Sequence, residues 1–266
     1  MSKWQRRRIL ILGKTYPNYS RKHLEVACTG GLIEPSMEMV RLYPIPFRYL
    51  HDSSKFTAWQ YIEAEVTKDL SDPRPESYNI RHDTIEPKET ISPDAADQRC
   101  HLLEDSPHFF SSVEELLKRN ESHSTSLGTI KPGEILGVSV EPRTEYERDE
   151  WEQKEAELFA QKTLLGPEPK TIDFPEAKFF VKWRCRGAQC TSAHKMSLHD
   201  WGIHQLYRKL HGDPDGQVKL RDQMLKYLDQ AEREIYFYLG NFRGTMFNFG
   251  LMAAYSATKQ RQASLF

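Results

Sequence analysis

Four cysteines in 266 residues, Cys28, Cys100, Cys185 and Cys190, are too few and too scattered to staple a chain of this size with disulfides. A reduced, cytoplasmic protein is the expectation that follows. Long apolar runs are lacking too. The stretch Ile9-Leu10-Ile11-Leu12 is far short of the ~20 residues that span a bilayer and too short for a signal-peptide core. It reads as a first strand, and no membrane partner is expected. Gly30-Gly31 lacks the spacing and the following Lys-Ser/Thr of a phosphate-binding loop, and neither Cys28 nor His123-Ser124 sits in a nucleophile motif. An excess of either charge is also missing: the formal net charge is -1, which alone argues against a nucleic-acid partner.

The distribution of charge argues the other way. Residues 3–22 hold seven Lys or Arg and no acid, and residues 178–211 hold seven Lys or Arg and four His against the single acid Asp200. Residues 141–157 hold eight acids against three bases. Segregation of this kind is the footprint of a basic surface balanced by an acidic one. Aromatic residues lie among the bases, and stacking platforms beside cations suit single strands or flipped bases. The nucleic-acid candidates are Arg6, Arg7, Arg8, Lys14, Tyr16 and Tyr19 from the first basic segment, Arg184 and Arg186 from the second, and Arg243 in a glycine-flanked turn.

Hydropathy patterning predicts an α+β chain of short, mostly antiparallel strands, in small barrel-like or mixed sheets, with helices concentrated in the C-terminal half. Tyr61 to Thr67 alternates cleanly, and the runs Glu25 to Ile33 and Glu38 to Tyr43 are joined by hairpin chemistry at Glu34-Pro35-Ser36. The Pro-, Asp- and Ser-rich stretch 71–93 reads as loop. Ser111 with Glu114 forms a capping box for a helix to Asn120, and a second amphipathic helix is expected over Trp151–Leu165. The resulting division is a β-rich domain over 1–120, a linker over 121–134, an α+β domain over 135–255 and a mobile tail over 256–266.

Two constellations carry possible metal chemistry. Cys185-x4-Cys190-x3-His194-x4-His199 supplies two thiols and two imidazoles on one short stretch, the ligand set that zinc takes. Glu63 and Glu65 share a strand face, with Asp72 just beyond, and converging carboxylates are what a Mg²⁺-dependent nuclease needs.

The sequence names a partner more plainly than a reaction. Its last five residues, Gln262-Ala263-Ser264-Leu265-Phe266, resemble the short peptide by which bacterial polymerases and repair proteins dock on the DNA sliding clamp. That family's pattern is Gln, a variable residue usually Leu, then Ser or Asp, Leu and Phe; Ala263 is the one departure. The resemblance implies that Leu265 and Phe266 fill a hydrophobic groove while Gln262 and Ser264 set register. The reading that results is a DNA-associated protein that binds nucleic acid through a basic face and is recruited by the clamp. The alternatives are a metal-dependent nuclease or base-processing enzyme, and a clamp-binding adaptor or inhibitor with no nucleic-acid contact.

Overall fold

The computed structural model describes residues 3–160, 167–187, 190, 192–242 and 244–259. Its first lobe is built from β1 (Gln5–Lys14), a small hairpin of β2 (Asn18–Ser20) and β3 (Leu24–Val26), then β4 (Thr29–Ile33), β5 (Glu38–Tyr43), β6 (Gln60–Lys68), β7 (Ser77–Ile80) and β8 (Glu86–Thr90). Five of these close into a barrel in the order β1-β4-β5-β7-β6-β1, and β8 pairs with the outer edge of β6. Only β5 and β7 pair in parallel within it. Counting barrel strands alone, the order is 1-2-3-5-4-1 with strands 3 and 5 parallel, and two 3-10 turns (Phe47–Tyr49, Asp52–Ser54) lie between strands 3 and 4. This is the Greek-key connectivity of an OB-type barrel.

The apolar run of β1 does not alternate because both its faces are buried. Ile9 and Ile11 point into the barrel with Val40, Leu42, Ile62 and Val66. Leu10 and Leu12 point outward, into a second core shared with Leu127, Tyr236, Tyr238 and Met252. A strand covered on two sides reads as a continuous hydrophobic stretch.

Those partners belong to the second lobe. After α1 (Ala96–Glu104) come β9 (Phe109–Phe110), α2 (Val113–His123), β10 (Leu127–Ile130), β11 (Pro132–Pro142), α3 (Glu145–Phe159), β12 (Ala177–Cys185), β13 (His194–Leu198), α4 (Trp201–Leu210), α5 (Gly216–Tyr227), β14 (Arg233–Phe242) and β15 (Thr245–Thr258). The seven strands form one sheet, β11-β12-β13-β15-β14-β10-β9, antiparallel except at β13–β15 and β9–β10. Alternation in β12 buries Phe179, Val181 and Trp183 against Leu116 of α2 and Leu220 and Met224 of α5. The fold class is α+β, as the patterning predicts. Among the described residues no helix is long and apolar enough to cross a membrane.

Several boundaries differ from the sequence reading. Residues 121–134 are not a linker: they hold the end of α2, all of β10 and the start of β11, with Leu127 and Ile130 fully buried. Their polar composition misleads because Ser126 is buried against a carboxylate of the first lobe. The stretch 71–93 contains β7 and β8, whose short length hides them. The cap of α2 is Ser112, which accepts from the Glu115 N–H, while Glu114 is left to point elsewhere. Helix α3 starts six residues earlier than Trp151, at Glu145, behind a complete Thr144/Glu147 capping box. Strand β15 runs on to Thr258, so residues 256–258 are paired with β14 rather than part of a tail.

Candidate functional site

The two lobes enclose a cavity of about 480 Å³, within the range of ligand pockets. The barrel contributes the β1–β4 connection (Thr15 to Cys28), Arg41 and Tyr43 of β5, and the β6–β7 loop with Asp72 and Arg74. The second lobe contributes α3, the segment at Phe174-Pro175, His199, His204, Asn241 and Phe242. In an OB-type barrel the strand 2–3 face and the loops joining strands 1–2 and 4–5 are where oligonucleotides and oligosaccharides bind. The cavity lies at those loops and at strand 3.

The β6–β7 loop joins the lobes. Arg74 grips Asp72 through Nε–Oδ1 (2.8 Å) and Nη2–Oδ2 (2.5 Å), and Ser77 Oγ adds a third bond to that carboxylate at 3.0 Å. Burial alone pushes the Asp72 carboxyl up, but these hydrogen bonds outweigh it and hold the group at about 2. Glu76, also buried, accepts from Ser126 N–H (2.9 Å) and Ser126 Oγ–H (2.6 Å) across the lobe boundary. Arg41 is only 4% exposed. It donates to Ser126 Oγ and to the Asn241 carbonyl, and among the described residues no carboxylate lies within ion-pair distance of it.

Two lining groups keep unused hydrogen-bonding capacity among the described residues. Asn241 is buried, and its Oδ1 lacks a partner although Nδ2 donates to Met246 O at 2.7 Å. Arg143 pairs with Glu147 at 2.7 Å through Nη1, leaving its Nε unpartnered. The His204 ring is packed between Tyr16 (centroids 4.6 Å apart, tilted) and Phe179 (4.9 Å, edge-to-face). Burial, reinforced by the Arg143 charge, pushes His204 down to about 3 and His199 down to about 4, so both imidazoles are neutral at pH 7. The wall is therefore aromatic, with neutral imidazoles, an amide and guanidinium groups placed to read polar edges.

Tyr16 and Tyr19 are not the exposed platforms that the sequence suggests. Their hydroxyls hold a strap at 170–173 across the barrel: Tyr16 donates to Asp173 O at 2.9 Å, and the Ile172 N–H donates to Tyr19 Oη at 2.7 Å. Arg48 adds bonds to Thr171 O and Lys170 O while Glu25 holds it from behind. Lys14 is half-buried over the Phe47 ring, 3.2 Å from its centroid, and loss of solvent lowers its ammonium to about 8.

The remaining basic candidates are largely compensated. Arg6 meets Glu63 and Glu86, Arg8 meets Glu34 and Glu89, Arg7 donates to Gln5, and Arg184 meets Glu134. Arg186 is exposed, and Arg243 lies outside the described residues. The carboxylates do not gather either. Glu63 is held by Arg6 and Lys88, Glu65 by Arg81, and Asp72 by Arg74.

A second cluster lies away from the cavity. Cys185 Sγ and Cys190 Sγ stand 3.4 and 3.3 Å from His194 Nε2, and Glu114 Oε1 stands 3.6 Å from the same nitrogen. The structure thus brings together three of the four residues expected to bind metal and replaces the fourth. His199 turns away, with Nε2 at 2.7 Å from Ser197 Oγ and its ring against Phe242. Glu114, 71 positions before Cys185, has no sequence signal linking it to the cysteines.

Two family models match the chain. "Domain of unknown function (DUF8758)" covers residues 5–105, the barrel with β8 and α1, and "Domain of unknown function (DUF8757)" covers residues 109–266, the second lobe. No curated protein matches it. The larger match spans more than half of the sequence, and the protein belongs to the DUF8757 family.

Proposed function

We propose that the protein binds single-stranded nucleic acid at the cavity between its lobes and is brought to DNA by the sliding clamp through Gln262, Ser264, Leu265 and Phe266. One observation carries the first half: an aromatic, guanidinium-bearing cavity of about 480 Å³ at the ligand-binding loops of an OB-type barrel. It has room for an unstacked base with its sugar, and the unpartnered Asn241 and Arg143 atoms, beside the neutral His204 ring, suit the polar edges of a base. The second half rests on the peptide alone, which lies outside the described residues. A metal-dependent nuclease has less support, because Glu63, Glu65 and Asp72 each serve a cation of the fold.

Fluorescence anisotropy of a labelled single-stranded oligonucleotide tests the first half. Saturable binding that weakens with salt is expected, and no change at low salt with intact protein removes it. A pull-down on purified clamp tests the second. Retention of the full chain and loss of a chain lacking residues 262–266 is the expected pair of results, and equal retention of both ends the recruitment reading.

A further inference from the structure

We propose that Glu114, Cys185, Cys190 and His194 hold one zinc ion in a closed, structural site. The four donor atoms lie within 4.8 Å of one another. A tetrahedral zinc with ordinary bond lengths sets S···N edges of about 3.6 Å and N···O edges of about 3.4 Å. The observed Sγ···Nε2 separations are 3.4 and 3.3 Å, and the Nε2···Oε1 separation is 3.6 Å. Two thiolates, an imidazole and a carboxylate are a full tetrahedral set, which leaves no open position for a reacting water.

Backbone donors aim at both sulfurs. The Val113 N–H donates to Cys185 Sγ and the Cys185 N–H donates to Cys190 Sγ, each at 3.3 Å. Such backbone donors are of small use to a neutral thiol, a weak acceptor, and are the usual outer support of metal-bound sulfur. Glu114 Oε2 is shielded from solvent and has no partner among the described residues. Both cysteines are free rather than joined to each other. Uptake of Zn²⁺ releases one proton from each thiol to solvent and leaves the Glu114 carboxylate and neutral His194 as they are.

The site explains why the capping role of α2 falls to Ser112 and Glu115, with Glu114 free to turn toward the sheet. The ion would pin the first turn of α2 to the ends of β12 and β13, closing a loop of about seventy residues, the type of constraint that stabilises most by limiting the unfolded chain.

Protein purified under reducing conditions without chelator should carry about one zinc per chain by elemental analysis. Cobalt substitution should give the intense visible bands of a tetrahedral ion and the ultraviolet charge-transfer band of thiolate ligation. Glu114→Ala should weaken zinc affinity about tenfold or more while keeping the thiolate band, and His199→Ala should leave stoichiometry and affinity unchanged. Wild-type protein that holds no stoichiometric zinc and gives no cobalt spectrum overturns the site. Affinity lost in His199→Ala and kept in Glu114→Ala overturns the ligand set.

Discussion

Arg41 and Arg74, from different segments of the barrel, donate to one and the same oxygen, the Asn241 carbonyl, at 3.2 and 3.1 Å. Asn241 sits in the second lobe, and its own N–H donates to Ser126 O, so two guanidinium groups fix a single peptide of β14. Arg74 is also the sole ion-pair partner of Asp72 among the described residues.

Arg74→Ala leaves the Asp72 carboxylate without its counter-ion in a site largely closed to solvent, which costs about 3–5 kcal/mol of folding stability at neutral pH. The Asp72 carboxyl sits at about 2 in the folded protein, below its ordinary 3.8. Stability from that shift is full above pH 3.8 and is lost as pH falls toward 2. Urea denaturation of both proteins should therefore show a large difference at pH 7 that narrows below pH 4. A difference under 1 kcal/mol at pH 7 would remove the pair's structural role.

The junction around His199, Asp200 and His204 sets a second pH dependence. Below pH 6.5 the unfolded chain takes up protons on both histidines that the folded chain, with values of about 4 and about 3, refuses. Stability falls accordingly as pH drops. Asp200 acts in reverse: burial raises its carboxyl to about 6, against opposing N–H bonds at Gly202 and Ile203 and the Lys14 charge. The folded protein keeps that proton where the unfolded chain releases it, so Asp200 adds stability as pH falls from 6 toward 3.8. Two groups against one leave a net uptake on unfolding, about 1.4 kcal/mol per pH unit near pH 5. Asp200→Asn keeps the helix cap and removes the offset, so the slope of stability against pH should roughly double. Identical slopes in the two proteins would contradict the assignment.

Gly30 of β4 faces Tyr238 of β14, and a β-carbon there would stand 1.9 Å from the tyrosine hydroxyl oxygen. Tyr238 is buried in the core between the lobes and has no room to retreat. Gly30→Ala should cost about 2–3 kcal/mol by overpacking. Combined with Tyr238→Ala it should cost much less than the sum of the two single changes. Additive losses in thermal or urea denaturation would show that the two residues do not meet.

Lys154 lines the mouth of the cavity from α3 and has no ion-pair partner among the described residues. Lys154→Glu is expected to weaken oligonucleotide binding about tenfold and to lower its salt slope, with an unchanged melting temperature. Arg6→Ala and Arg8→Ala, each removing a cation already matched by two carboxylates, should change affinity less than about twofold. The reverse order in a salt titration would return the binding face to β1.

The parts of this fold that sequence discloses are those built from neighbours. Alternation marks β6 and β12, and Glu34-Pro35-Ser36 marks the β4–β5 hairpin. Cys185, Cys190 and His194 stand close in sequence and in space, whereas proximity alone favours His199 over Glu114 and is misleading. Ser126 looks like linker because its burial depends on Glu76, fifty residues earlier. The cavity could not be foreseen at all: Arg41, Trp151 and Asn241 share no pattern, and only the closing of the barrel against the sheet brings them to one wall.

The two-faced burial of β1 bears on how this protein can be divided. A cut between residues 105 and 109 follows the family boundaries and severs one short connection. It also strips Leu10, Leu12 and Leu32 from Tyr236, Tyr238 and Met252. Each half would then carry an open sheet face of large apolar side chains, the kind of surface that aggregates. The two segments are therefore halves of one folding unit, and the cavity between them exists only while they remain joined.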